Sequence, residues 1–309
     1  MHIYISGSLA YDRIMDFPDK FANHILPEKI HILNVCFLVQ GLKERFGGTA
    51  GNIAYSLSLL NEQPTILAPV GNDFDRYTRW LKDCGISLDG IQHIQEVPTA
   101  SAYITTDQAD NQITAFNPAA MNFSTHQSFD EFKTEQSLAI VSPGNLEDMQ
   151  EYPKKYKELS LPYIFDPGQN IPAFSGDQLK EMISGSYALI ANDYELSLIM
   201  EATHEDKKGL LKLTSLIITT LGEQGSIVTD IDKETHIPTA KVANPVDPTG
   251  AGDAFRAGFI KGISMAKDNI QAAQIGSVCA SFCVEQLGTQ EHSFSQKEFW
   301  QRYFETFDS

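Results

Sequence analysis

The sequence predicts an α/β fold: a three-layer α/β/α sandwich built on a mostly parallel sheet, with a small β-lid. Three observations carry this. Short apolar runs bounded by Gly or Pro recur along the chain, several of them apolar on both faces, as strands covered by helices on each side must be. Helical periodicity separates many of these runs, and alternating strand and helix is the pattern of a layered α/β domain. Two stretches break the rhythm, but no internal repeat, low-complexity tract or Ser/Gly linker accompanies them, so residues 1–309 read as one domain.

In chain order, strands are expected at residues 2–6, 65–70, 138–142, 163–166, 188–191, 215–220 and 226–229. Helices are expected at 51–60, 75–84, 195–201, 252–265 and 269–286. The first five residues are apolar, carry no basic flank and run straight into Gly7 and Ser8, so they read as a strand and not as a secretory leader. Residues 101–106 and 112–116 alternate in strand fashion around a turn at 107–111, which predicts a hairpin. Residues 12–46 are irregular and rich in aromatic and apolar side chains. Together, insertions at about 12–46 and 97–118 are expected to form a lid over a cleft.

Forty acidic residues against 23 basic ones give a formal charge of −17, which disfavours a nucleic-acid face or an anionic membrane surface as partner. No apolar run approaches the roughly 18 to 20 residues of a membrane helix, so a soluble, cytoplasmic protein is expected. The four cysteines fit that expectation as buried free thiols, because Cys36 and Cys84 stand alone and no His or Cys cluster accompanies Cys279 and Cys283.

The string Asp247-Pro-Thr-Gly-Ala-Gly-Asp253-Ala-Phe255 leads directly into a helical run. Gly250, Ala251 and Gly252 are small enough for a ligand to approach the backbone. Their amides lie at a helix start, where unpaired N–H groups and the positive end of the macrodipole attract an anion. Asp253 falls in the first turn, placed to accept a proton from a hydroxyl attacking a phosphoryl group. A lone Gly-Asp would read as a helix cap; the nine-residue string argues for chemistry.

This string resembles the C-terminal signature of the ribokinase-like, or PfkB, carbohydrate and nucleoside kinases, in which the matching Asp is the catalytic base and the three preceding residues form the anion hole. No Walker-type phosphate loop is present. Further segments resemble the family in order along essentially the whole chain. Gly7-Ser8-Leu-Ala-Tyr-Asp12 and Gly47-Gly48-Thr-Ala-Gly51-Asn52 resemble acceptor-binding segments, which implies Ser8, Asp12, Gly48 and Asn52 as substrate contacts. Asn192-Asp-Tyr-Glu195 matches an Asn-x-x-Glu motif that positions Mg²⁺ through its water shell. Thr219-Thr220-Leu-Gly222-Glu-Gln-Gly225 resembles the ATP-binding turn, implying Thr220, Gly222 and Gly225. Some relatives also bind a monovalent cation such as K⁺, for which Asp247 beside Gly288 is the matching place. Asp166, at another strand end, is left without a role, and Arg256 is either a phosphate partner or a surface residue.

The long interval from Asp12 to Gly47, with Phe17, Phe21, Ile25, Leu26, Phe37 and Phe46, resembles the bacterial adenosine-kinase and nucleoside-kinase branch. A purine needs an apolar slot for its faces, which such a lid and Phe116 would supply. The resemblance thus implies ATP-dependent phosphorylation of a nucleoside 5′-hydroxyl, adenosine foremost, by a monomer or homodimer. A sugar kinase of ribokinase or fructokinase type and a non-catalytic nucleotide or nucleoside sensor are the alternatives. A Rossmann dehydrogenase is disfavoured, because residues 47–52 lack the Gly-x-Gly-x-x-Gly spacing and its following acidic ribose ligand.

Overall fold

The computed structural model describes residues 1–109, 111–130 and 132–308. Its first half runs β1 (His2–Ser6), β2 (Ala10–Asp16), β3 (Gln40–Gly47), α1 (Thr49–Leu59), β4 (Thr65–Val70), α2 (Asp75–Asp83), β5 (Ile91–His93), β6 (Ala100–Thr106), β7 (Gln112–Asn117) and β8 (Ser137–Val141). The second half runs α3 (Leu146–Glu158), β9 (Tyr163–Phe165), α4 (Gly176–Ile183), β10 (Ala188–Asn192), α5 (Asp193–Thr203), α6 (Lys207–Leu210), β11 (Ile217–Thr220), β12 (Ser226–Thr229), β13 (Glu234–Ile237), α7 (Ala251–Ser264), α8 (Asn269–Cys283) and α9 (Gln296–Phe307).

Nine strands form one sheet in the order β13-β12-β11-β10-β9-β8-β1-β4-β5. Pairing is parallel from β11 to β5, with β12 and β13 added antiparallel at one edge. Alternation along the strands builds the three layers. Ile3, Ile5, Leu138, Ile140 and Ile190 pack with Ile53, Leu81, Phe259 and Ala272 of α1, α2, α7 and α8. Their neighbours Tyr4, Ala139, Val141 and Leu189 pack on the opposite face with Met149, Leu179 and Ile199 of α3, α4 and α5. Both faces are buried, which is why these runs read as continuously apolar.

Helices α3, α4 and α9 escape the periodicity reading, although each announces itself with a side-chain cap. Asn145 caps α3, and Ser175–Gln178 and Ser295–Glu298 form reciprocal capping boxes at α4 and α9. Pro153 inside α3 also reads locally as a breaker. Expected boundaries shift by one to three residues: helix α8 stops at Cys283, not 286, and β11 begins at Ile217, not 215. Cys279 and Cys283 are buried free thiols as expected, whereas Cys36 is exposed and Cys84 only half-buried. No helix among the described residues is long and apolar enough to cross a membrane.

The lid is a separate four-stranded sheet, β3-β2-β6-β7. The irregular interval 12–46 therefore contains parts of two strands, paired antiparallel with Asp12 opposite Arg45. The expected hairpin is present as β6 and β7; residue Asp110 of its turn lies outside the described residues. The carboxylate of Asp107 accepts amides from Phe21, Ala109 and Asn111 at 2.8–2.9 Å, tying the two insertions together.

Candidate active site

Helix α7 starts at Gly250, whose φ of +80° is left-handed and open to Gly without strain. The first turn of α7 lines the cleft. Ala251 donates its amide to the Pro248 carbonyl at 3.2 Å, while no hydrogen bond engages the Gly252 and Asp253 amides among the described residues. Of the anticipated anion hole, Gly250 and Gly252 therefore keep free amides among the described residues, joined by that of Asp253, while the Ala251 amide is engaged. Asp253 lies in the first turn of α7, and its Oδ2 accepts from Nδ2 of Asn52 at 2.8 Å. Asn52 is buried in the first turn of α1, which begins at the N-cap Gly48, so two helix starts converge on one carboxylate.

Around this pair lies a cleft of about 1500 Å³. Burial raises the carboxyl of Asp253 above the ordinary carboxylate range, against the pull of Arg256 and the Asn52 donor. Asp12, reaching in from β2, is pushed up to about 6 by burial; Arg45 opposes that shift and Asp253 adds to it. Ser8 also lines the cleft, but its hydroxyl accepts the Thr49 amide at 3.0 Å and so anchors the start of α1.

Asp166 and Arg256, left without firm roles by the sequence, form a buried ion pair on the cleft wall. Nη2 of Arg256 donates to Oδ1 of Asp166 at 2.6 Å, and Nε faces Oδ2. Burial pushes Asp166 up to about 6 despite Arg256. Burial also works against the charge of Arg256, but Asp166, Asp253 and Glu195 outweigh it and hold the guanidinium protonated. Arg256 lies three residues beyond Asp253, a spacing that puts both on one face of α7 and was readable from the sequence.

Asn192 and Glu195 line the same cleft as a capping box. Asn192 Oδ1 accepts the Glu195 amide at 2.7 Å and Glu195 Oε2 accepts the Asn192 amide at 2.9 Å. Asp166, Glu195 and Asp253 thus face one region in which Arg256 is the single buried cation among the described residues, and that surplus of negative charge fits a metal-bound triphosphate. Beyond Gly252 a second cavity of about 620 Å³ opens, lined by Gly225, Ser226, Val242 and Phe255. Thr220 and Gly222 border both cavities. At the place matched to a monovalent cation, Asp247 accepts amides from Thr249 and Gly288 at 2.9 and 3.0 Å. The Gly288 group facing Asp247 is an N–H donor, which does not fit a cation between them.

Of the lid side chains expected to form an apolar slot, Phe116 alone reaches the cleft, half-exposed at its edge beside Pro118 and Met121. Phe17 stacks on Phe21 and both tilt against Phe37, with centroids 4.8–5.5 Å apart, as a small core of the lid itself. Phe46 packs on Tyr77 and Trp80 in the body, Ile25 is partly buried away from the cleft, and Leu26 is exposed. The lid insertion needs its own packing, which absorbs most of its rings. The sequence reading missed Gln290, which bonds Asn52 from behind, and Tyr77 and Trp80, which bond Gln290 in turn.

Three comparisons agree with this geometry. The pfkB family carbohydrate kinase description matches residues 22–297. The nucleoside kinase of Methanocaldococcus jannaschii is 32% identical over 265 residues, 85% of this chain and 87% of that protein. The structure of Burkholderia thailandensis nucleoside kinase with inosine superposes with a TM-score of 0.89 at 33% identity, covering 99% of this chain and 98% of that one. A second structure of the Burkholderia enzyme, described as a complex with ADP-inosine, gives a TM-score of 0.86 at 34% identity over 99% and 96% of the two chains. With a ribokinase-type sheet, a β-lid and the Asp253 helix start all in place, the chain belongs to the pfkB family of carbohydrate kinases, phosphotransferases with an alcohol group as acceptor.

Proposed function

We propose that the protein transfers the γ-phosphoryl group of ATP to the 5′-hydroxyl of a nucleoside, with adenosine the preferred acceptor and other nucleosides accepted. The observation that carries this is the lining of the cleft: Asp253 and Asp12 share it with Phe116, Pro118 and Met121, and the lid register sets Phe116 two strands from Asp12. Its volume exceeds the roughly 300–1,000 Å³ usual for one small ligand, leaving room for a base as well as a ribose and phosphates. The nucleoside-kinase relatives and the inosine complex support the same reading.

Asp253 accepts the hydroxyl proton as that oxygen bonds to the γ-phosphorus, while the bond from phosphorus to the β,γ-bridging oxygen breaks and ADP leaves. The free amides at the start of α7 and the Arg256 guanidinium face the transferred charge. Asp12 grips ribose hydroxyls, since one carboxylate can accept from two neighbours. Asn52 contacts the ribose through whatever hydrogen-bonding capacity its bond to Asp253 leaves. Asn192 and Glu195 would hold Mg²⁺ through water. When bound, that ion neutralises triphosphate charge. The adenine of ATP would lie in the second cavity, past Thr220, Gly222 and Gly225. Function as a monomer or homodimer is part of this reading.

Steady-state kinetics on adenosine, inosine, cytidine, ribose and fructose with saturating MgATP test it. Adenosine should exceed both free sugars in kcat/KM by at least about 100-fold, roughly 2.7 kcal/mol of transition-state binding. Faster phosphorylation of a free sugar than of every nucleoside would replace the acceptor while leaving the kinase. ADP release with none of the five would favour a sensor.

A further inference from the structure

Behind the catalytic cleft, four buried or half-buried side chains form a hydrogen-bond chain that runs in one direction only. The indole of Trp80 is held between Phe46 and Tyr55, stacked on each at 5.4 and 5.7 Å. Its Nε1 donates to Oε1 of Gln290 at 2.9 Å. Gln290 is 2% exposed. Its Nε2 donates to Oδ1 of Asn52 at 3.0 Å and to the Tyr77 hydroxyl at 2.6 Å, and that hydroxyl donates on to the Gly47 carbonyl at 2.9 Å. Asn52 then donates from Nδ2 to Oδ2 of Asp253 at 2.8 Å.

The indole N–H of Trp80 can only donate to Gln290, and the Tyr77 hydroxyl, committed to the Gly47 carbonyl, can only accept from it, so this pair of contacts dictates every later link. It requires the Gln290 oxygen to face Trp80, hence the Gln290 amide nitrogen to face Asn52, hence the Asn52 nitrogen to face Asp253. Gly51 makes room for the chain, because a Cβ there would stand 2.0 Å from the Tyr77 hydroxyl and 2.9 Å from Nε2 of Gln290. If Asn52 were turned over, its carbonyl oxygen would face Oδ2 of Asp253, and the two acceptors could coexist only with a proton between them.

We propose that Trp80 and Gln290 are positioning residues for phosphoryl transfer, fixing the Asn52 amide so that it donates to Asp253 and keeps that carboxylate unprotonated with Oδ1 free for the acceptor hydroxyl. This rests on the reading of Asp253 as the base. The other groups facing Asp253 are Asp12 from β2, Asp166 beyond β9, Glu195 from α5, Cys283 from α8 and Arg256 on its own helix. The chain leaves all of these untouched.

The test is the pH profile of kcat for Gln290→Glu and Trp80→Phe, at saturating MgATP and the fastest acceptor of the panel, with Asp253→Asn measured in parallel. A carboxylate at position 290 accepts from both Trp80 and Asn52 and reverses the last link. Trp80→Phe removes the N–H that helps set the direction, together with part of the ring stacked between Phe46 and Tyr55, and adds no charge. Both variants should lose activity, about 10- to 100-fold and about 3- to 10-fold, and both should show the acidic limb moved to higher pH by at least about half a unit. A limb that stays in place in both variants, whatever happens to kcat, overturns the proposal. So does a limb that moves in Gln290→Glu alone, which reports the added charge. If Gln290→Glu does not fold, Trp80→Phe decides. Asp253→Asn should lose at least about 10²- to 10⁴-fold. If it remains active, the base assignment itself fails, an outcome distinct from an inert Gln290 with a dead Asp253→Asn.

Discussion

Asp12 carries a charge that folding opposes and that the proposed ribose contact would use. Its carboxyl lies at about 6 in the folded protein because burial disfavours the ionised form, against roughly 3.9 in an unfolded chain. A raised carboxyl means that the folded state holds its proton more tightly, so this contribution to stability is present in full below about pH 4 and is lost as pH rises through 6. Asp12→Asn removes the penalty. The variant should therefore be more stable than the parent at pH 7, by at most about 3 kcal/mol, and indistinguishable from it near pH 4. Urea denaturation at both pH values measures this. Nucleoside affinity should fall at the same time, and a variant that gains stability without losing affinity would remove Asp12 from the acceptor site.

Helix α5 separates two roles that its first turn combines. Glu195 closes a capping box with Asn192 and also faces the negatively charged part of the cleft. Glutamine serves a capping box as well as glutamate does, so Glu195→Gln should leave the unfolding midpoint nearly unchanged. It should still raise the Mg²⁺ concentration needed for half-maximal activity, because one negative charge leaves the metal's surroundings. An unaltered Mg²⁺ titration would reduce Glu195 to a cap. The same elements show where sequence patterns are strong and weak. Strands buried on both faces and helix α7 are legible from contiguous residues. Strands β2 and β3 are not, because exposed lid positions such as Leu38 and Leu42 obscure any alternation.

At the scale of the molecule, the lid is fastened to the body beside the site. Nη1 of Arg45, on lid strand β3, donates to the Leu287 carbonyl beyond α8 at 2.7 Å, and Thr289 donates to the Phe46 carbonyl at 3.1 Å. Arg45 also lies opposite Asp12 and holds its carboxyl down. Arg45→Gln should loosen the lid and move Asp12 still higher. We expect the nucleoside KM to rise about 5- to 20-fold at pH 7, with the pH at which binding strengthens shifting upward. The KM for MgATP should change far less. Equal changes in both constants would mean that Arg45 supports the fold and not the acceptor side of the cleft.

The sequence by itself determined the layered α/β class, the lid insertions and the residues gathered at the helix starts, because each is encoded in short contiguous patterns: apolar runs, periodicity, a Gly-rich turn followed by Asp. Only the tertiary structure decided which lid rings meet the cleft, that Asp166 and Arg256 form a pair, and that Trp80 and Gln290 stand behind Asn52. Gln290 and Asn52 are 238 positions apart. Neither carries a local pattern that names the other, since a glutamine looks the same in sequence whether it faces solvent or an amide across the core. What joins them is the closing of α1 and α7 around one carboxylate, and that depends on the packing of the whole sheet.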